Sequence, residues 1–382
     1  MRVMIAGGGT GGHIYPGIAM YNALKRAVDD IEVLFVGARA GVEKKIFAEL
    51  GLPHVLLAGR GVRGKGLISK LASPFVILAG VIEGIREILS FKPDVVIGTG
   101  GYASFAVVAA SVICRRPRVL QEQNSVPGMT NRVMSRFADL VLLSFEEARA
   151  FIYRGAAAEV VGNPIRVDLS TTRAEALEFF GLSPDAPTVL VCGGSRGARS
   201  INRSAVSAAR EMLPARDVQF IFLAGELDYE NVKQALGGFP DRVRVYPFVQ
   251  EMNHAYRAAD IAVSRAGASA VFELAAFGVP TVFVPYPYAA DDHQRKNVEA
   301  LERRGAAVVA EDGGLTGESL RTIIEMLLDD DAGREQMKKN IVGWASPDAD
   351  DLAAEKIIEV VTRARSELAG GPARRLRVGE GT

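Results

Sequence analysis

Short apolar, β-branched runs alternate with helix-period stretches along almost the whole chain. In the first half the apolar runs fall at residues 3–6, 32–36, 55–57, 95–97, 119–121, 140–143 and 159–161. Helical patterns lie between most of them, at 14–28, 42–50, 67–89, 102–113 and 128–135. Nearly continuous apolar strands separated by helices predict a parallel sheet covered on both faces, a doubly wound α/β domain. The pattern breaks at residues 162–166, where Pro164 disfavours helix for the residue before it. A second alternation follows, with strands at 188–192, 220–223, 243–246, 261–264, 281–284 and 307–310 and helices starting near Arg199, Asp228, Met252, Ser269, His293 and Thr316. Pro347 and Asp348 then cap a last helix over 350–368, whose apolar positions Leu352, Ile357, Val360, Val361 and Ala364 need a partner surface.

The expected fold is therefore two Rossmann-like domains with a cleft between them. Residues 1–163 form the first and 164–347 the second, the helix at 348–368 packs back on the first, and a glycine-rich tail over 369–382 is disordered. A length of 382 residues is comfortable for two cores, and 48% hydrophobic with 24% charged residues describes an ordered globular chain. Lysine plus arginine (45) equals aspartate plus glutamate (45), so there is no general nucleic-acid signal. Cys114 and Cys192 fall in different domains at the ends of apolar runs and read as reduced, buried thiols. No cationic leader with a cleavage site precedes the first strand. The most apolar long stretch, 67–89, is interrupted by Lys70, Pro74, Glu83, Arg86 and Glu87, which argues against a membrane span.

The chemistry concentrates where strands empty into glycine-rich turns that open helices. Residues 7–13 (GGGTGGH) and 193–198 (GGSRGA) both have this form. Backbone N–H groups and the positive end of a helix dipole suit a phosphate at each, and Ser195 adds a hydroxyl donor at the second. Gly7, Gly9 and Gly12 formally match a dinucleotide fingerprint, but the second strand ends FVGAR without the acid that would hold an NAD ribose. Arg39 could instead accept an NADP phosphate, which keeps a reductase open. His13 follows the first loop at a helix start. The dipole there disfavours imidazolium and leaves a neutral ring able to accept a proton, whereas a bound pyrophosphate would push the other way. The plain alternative is a histidine that caps the loop.

Three more runs have functional and ordinary readings. In residues 266–273 (AGASAVFE), small residues such as Ala268 and Ser269 let a ligand approach the backbone, and Glu273 could accept both hydroxyls of a ribose. It could equally be a first-turn acid favoured by the dipole. Residues 291–297 (DDHQRKN) contain acids and imidazole, yet the aspartates read better as caps, with Gln294 offering an amide to a sugar hydroxyl. The acidic clusters at 329–331 and 348–351 sit at helix ends, so no essential protein-bound metal and no cofactor is expected. Residues 60–78 mix basic and apolar side chains and suit either an anionic bilayer face or a core helix with a glycine-rich entry loop.

Taken in order, the runs at 8–13, 98–102 (GTGGY), 122–124 (EQN), 162–166 (GNPIR), 193–198 and 265–273, with Asp292, His293, Gln294 and Asn297, resemble one family. That family comprises the peptidoglycan N-acetylglucosaminyltransferases of the two-domain GT-B fold. The resemblance covers nearly the whole chain up to about Leu368. It implies inverting transfer of N-acetylglucosamine from UDP-N-acetylglucosamine to a polyprenyl-diphospho-muramoylpentapeptide acceptor, by a peripheral enzyme on the cytoplasmic face of the cell membrane. By that likeness Thr10, Gly11, Gly12, Asn124, Arg166, Ser195, Val249 and Gln294 line the nucleotide-sugar site, Glu273 holds the ribose and His13 sits beside the acceptor hydroxyl. Pro127 departs from the expected loop and stiffens it. A non-catalytic protein that binds the nucleotide sugar is the reading from another class.

Overall fold

The computed structural model describes residues 1–39, 41, 43–58, 67–165, 167–194 and 197–368. The chain divides into two units, one of residues 1–123, 127–164 and 348 onward, the other of residues 124–126 and 165–347. Residues 124–126, expected in the N-terminal domain, thus belong to the second unit. The tail at 369–382 lies outside the described residues.

The first unit holds β1 (Arg2–Gly7), α1 (Gly11–Ala27), β2 (Glu32–Ala38), α2 (Glu43–Glu49), β3 (His54–Leu57), α3 (Leu67–Phe91), β4 (Val95–Gly100), α4 (Gly101–Ile113), β5 (Arg118–Glu122), α5 (Met129–Met134), β6 (Leu140–Leu143) and β7 (Ala158–Val160). Its strands lie in the order β3-β2-β1-β4-β5-β6-β7, all parallel. Alternate side chains of the central strands enter opposite layers, as the strand period requires. Val3, Ile5, Val95 and Ile97 pack into one buried cluster, and Met4, Ala6 and Val96 into the other.

The second unit holds α6 (Arg173–Phe180), β8 (Thr188–Cys192), α7 (Arg199–Ala215), β9 (Gln219–Leu223), α8 (Tyr229–Leu236), β10 (Val243–Tyr246), α9 (Met252–Ala258), β11 (Ile261–Ser264), α10 (Ala268–Phe277), β12 (Thr281–Phe283), α11 (His293–Arg303), β13 (Val308–Val309), α12 (Gly317–Asp329) and α13 (Asp331–Val342). Its sheet, β10-β9-β8-β11-β12-β13, is parallel and repeats the order of the first.

The last helix, α14 (Ala349–Leu368), buries Ala353, Ala354, Ile357, Val360 and Val361 in the cluster that holds Val3 and Ile5 of the first unit. Arg26 of α1 fastens its start through Asp350 at 2.8 Å and Asp351 at 2.7 Å. Two helices were not legible in the apolar pattern. α6 opens on a capping box of Thr172 and Glu175, and α13 on Asp330, whose side chain accepts from Gly333 N at 2.9 Å. In each sheet the strand order reverses beside the first strand, between β1 and β4 and between β8 and β11. Loops leaving the carboxyl ends there diverge and leave room for a ligand.

Candidate functional site

In the first unit, α1 begins at Gly11, three residues before the apolar pattern suggests, so His13 lies inside its first turn. Thr10 holds the N-cap position without a side-chain cap bond, and His13 N donates to Thr10 O at 3.2 Å. Nδ1 of His13 lies 2.9 Å from Oε1 of Gln123, which directly follows β5. Gln123 is 2% exposed, and its Nε2 donates to Thr99 O at 2.8 Å, to Gln121 O at 3.3 Å and to the Gln121 side-chain oxygen.

The first glycine loop departs from a simple phosphate cradle. Gly8 N donates to Gly100 O at 3.3 Å, and Gly9 N to Oε1 of Glu43 at 2.9 Å. Glu43 is fully buried and also accepts from Ala38 N at 3.3 Å. Two of the loop's donors are therefore satisfied by the protein, and what remains for an anion is the start of α1. The missing acid of a dinucleotide site has no substitute in Arg39 either. Its guanidinium donates to Leu56 O at 3.2 Å and pairs with Glu83 at 3.1 Å.

In the second unit two helices start at the switch point without side-chain caps. α7 follows β8 with Ala198 at its N-cap, and α10 follows β11 with Gly267 at its N-cap, so in neither case does the N-cap residue supply a side chain to the orphan N–H groups. Ala268 and Ser269 are the first two residues of α10. Ser195 and Arg166, both expected at this site, lie outside the described residues. Glu273 is the sixth residue of α10, in its second turn, which corrects the first-turn reading. Its Oε2 accepts from the Tyr256 hydroxyl at 2.6 Å, leaving Oε1 for another donor. Burial pushes the Glu273 carboxyl above the usual range, and the Tyr256 bond opposes that shift in part. Beside it, at the end of β8, the Cys192 thiol donates to Ser264 Oγ at 3.3 Å and is pushed by burial up to about 11. Cys114, by contrast, is only partly buried.

Loops of the second unit bring further expected residues near this end of the sheet. Val249 is 6% exposed and packs in the core with Cys192, Leu223 and Ala266, so only its backbone is left to meet a ligand. Gln294 Oε1 accepts from Tyr286 N at 2.9 Å, which leaves its amide nitrogen as donor. Asp292 occupies the N-cap of α11 but makes no side-chain cap bond, contrary to the capping role expected of it. Asn297 is legible in the sequence only as the end of a motif, with no role attached. Its Nδ2 donates to Asn124 Oδ1 and to Ala266 O, both at 3.2 Å, and its Oδ1 accepts from Ser125 N at 2.9 Å. It thereby ties Asn124 and Ser125 to the loop between β11 and α10. Among the described residues no group of three or more acids, histidines or cysteines could hold a metal, and no helix is long and apolar enough to cross a membrane.

Residues 3–143 match the glycosyltransferase family 28 N-terminal domain, and residues 188–356 match the glycosyltransferase family 28 C-terminal domain. A UDP-N-acetylglucosamine--N-acetylmuramyl-(pentapeptide) pyrophosphoryl-undecaprenol N-acetylglucosamine transferase of Lactiplantibacillus plantarum is 39% identical over 354 residues, covering 92% of this chain and 97% of that protein. The protein so named in Chlorobaculum tepidum is 40% identical over 362 residues, covering 94% and 99%. The crystal structure of Acinetobacter baumannii MurG aligns with a TM-score of 0.75 at 30% identity, over 94% of this chain and 99% of that one.

Proposed function

Because the chain belongs to the MurG family of glycosyltransferases, we infer that it moves N-acetylglucosamine from UDP-N-acetylglucosamine to undecaprenyl-diphospho-muramoylpentapeptide. The C4 hydroxyl of the muramoyl sugar attacks the anomeric carbon with inversion, the bond to UDP breaks, and the hydroxyl proton goes to a base. Such a transfer needs a proton acceptor at the nucleophile and charge stabilisation at the departing diphosphate. His13 is the acceptor, held in the first turn of α1 by Gln123. In the second unit the diphosphate meets the starts of α7 and α10, the latter carrying Ala268 and Ser269, while Ser195 contributes a hydroxyl donor and Arg166 positive charge. Glu273 accepts from the ribose hydroxyls through the carboxyl oxygen that Tyr256 leaves unused. Asn124, Gln294 and the backbone at Val249 complete the nucleotide-sugar contacts of the second unit, and Thr10, Gly11 and Gly12 are the first unit's residues for substrate.

The observation that carries this reading is the pair of uncapped helix starts at the β8/β11 switch point, with Glu273 in the second turn of one of them. That combination suits a nucleoside diphosphate, with its anionic centre and two vicinal hydroxyls. Incubation of the full chain with radiolabelled UDP-N-acetylglucosamine and a short-chain lipid acceptor analogue should give acceptor-dependent product, with or without chelator. Binding of the nucleotide sugar without acceptor-dependent UDP release would instead mark a non-catalytic binding protein.

The polyprenyl acceptor stays in the bilayer while the nucleotide sugar is cytosolic, so the enzyme works as a peripheral protein on the cytoplasmic face of the cell membrane. Residues 60–78 are the docking stretch. Residues 60–66 lie outside the described residues, and the remainder belongs to α3, where Phe75 (75%) and Leu78 (57%) are exposed. Each basic residue near an anionic surface contributes about 1 kcal/mol. Exchange of Arg63, Lys65 and Lys70 for glutamate should reduce sedimentation with anionic vesicles and spare activity on a soluble acceptor. Undiminished vesicle binding would place the docking surface elsewhere.

A further inference from the structure

We propose that Gln123 is the positioning residue of His13, fixing the imidazole tautomer that leaves Nε2 as the proton acceptor. The proposal rests on the reading of His13 as the base and assigns the device that makes it one. The orientation of the Gln123 amide decides which imidazole nitrogen carries the proton. The Gln123 Nε2 faces Thr99 O at 2.8 Å, Gln121 O at 3.3 Å and the Gln121 side-chain oxygen, all of them acceptors without a proton to give. Turning the amide over would set its own oxygen against those three, in a place only 2% exposed, where an unmatched polar group is costly. The amide orientation is thus decided by atoms other than the histidine. Oε1 then faces His13 Nδ1 at 2.9 Å and can only accept, so Nδ1 carries the proton. A neutral imidazole has one donor and one acceptor nitrogen, and the acceptor is therefore Nε2.

The same polarity runs on through the buried layer. Gln121 Nε2 donates to Ser144 Oγ at 3.2 Å, and Ser144 Oγ donates to Asn163 Oδ1 at 3.4 Å. Gln121, Ser144 and Asn163 are each 5% exposed or less. Every donor in the sequence His13, Gln123, Gln121, Ser144, Asn163 points away from the imidazole. Bonds so aligned polarise one another and hold the Nδ1 proton in place, which also steadies the positive charge the ring gains when Nε2 takes a proton. The glutamine of the EQN run and the asparagine of the GNPIR run thereby acquire one shared task beneath the histidine.

The test uses the full chain with ring-labelled histidine and three variants. Nitrogen NMR of the wild type should show His13, assigned by loss of its signals in His13→Ala, as the Nδ1–H tautomer. Gln123→Leu should shift it toward the Nε2–H form and lower kcat about tenfold or more, with the donor KM within about twofold. Gln123→Glu puts a carboxylate against Nδ1, favours imidazolium and should move the acid limb of the kcat profile upward by about one pH unit. A change that merely disturbed packing would move neither the tautomer nor that limb. If His13→Ala loses turnover but Gln123→Leu keeps the wild-type tautomer and Gln123→Glu the wild-type limb, the positioning role is overturned and the base remains. If His13→Ala turns over like wild type, the base assignment fails, and the proposal with it.

Discussion

The two glycine loops share a strand before, a helix after and a run of small residues, yet their backbone donors meet different partners. In the first, Gly9 N is taken by the buried Glu43 side chain and Gly8 N by Gly100 O. In the second, Gly197 N closes the turn onto Gly194 O at 2.8 Å, and α7 opens behind it without a side-chain cap. A loop whose N–H groups already hold an acidic side chain is a poor place for a diphosphate, and since α1 and α7 both open without a side-chain cap, the carboxylate of Glu43 and not the capping marks the difference. The residue that separates the two cases, Glu43, lies 34 positions along the chain from the Gly9 it holds. Glycine spacing describes how closely a backbone can be approached, and the partner of its N–H groups decides by what. The difference fits the proposed division of labour, with proton transfer at the first loop and diphosphate binding at the second.

The largest effects should come from adding a side chain to either loop region. Gly197 has φ of +71°, and a Cβ there would stand 2.3 Å from Ala224 O. Gly101, at the start of α4, has φ of +84°, with its Cβ 2.3 Å from Gly8 O. Both contacts are with backbone that cannot swing aside, and the left-handed conformation alone costs a side chain roughly 1–3 kcal/mol. Gly197→Ala should lose UDP binding in calorimetry. Gly101→Ala should keep UDP affinity within about twofold while turnover falls about a hundredfold. The opposite pattern would exchange the roles of the two loops.

A smaller effect sharpens the second loop alone. Glu273→Ala should weaken UDP binding by roughly 1.5–3 kcal/mol, the range for hydrogen bonds to a charged group, and raise the donor KM. Because alanine also strands the buried Tyr256 hydroxyl, Glu273→Gln is the control that keeps a partner for it. Unchanged UDP affinity in both variants would remove Glu273 from the ribose.

The smallest expected effect is on stability at alkaline pH, and it too distinguishes the strands that enter the loops. β8 ends on Cys192, whereas the corresponding end of β1 carries no ionisable side chain. The folded thiol titrates at about 11, above its ordinary value near 9. Between those values the folded chain keeps a proton that the unfolded chain has lost, so stability falls as pH rises through the window. The slope approaches about 1.4 kcal/mol per pH unit for one proton. Denaturant melts from pH 9 to 11 should show this decline, and Cys192→Ala should flatten it. An equal slope in the variant would assign the alkaline loss to other groups.

Much of the fold was legible because apolar strands buried on both faces leave little ambiguity, and β6, β8, β10 and β11 begin and end where the pattern does. α6 and α13 were missed because their signals are polar caps, Thr172 with Glu175 and Asp330, rather than apolar faces. The glycine runs marked where backbone could meet a ligand, but not which backbone groups were already used. Glu43, Gln123 and Asn297 act through hydrogen bonds to residues 34, 110 and 173 positions away. No periodicity reports such a bond. Their polarity at buried positions is the trace they leave, and only the folded chain shows what satisfies it.

The central claim is that the first loop region moves the proton while the second binds the donor. The most direct test measures both on one variant, His13→Ala, by calorimetry with UDP-N-acetylglucosamine and by turnover on a saturating short-chain lipid acceptor. Donor affinity should stay within about twofold of wild type while kcat falls about a hundredfold or more. A kcat near wild type, or a loss of donor affinity as large as the loss of turnover, would contradict it.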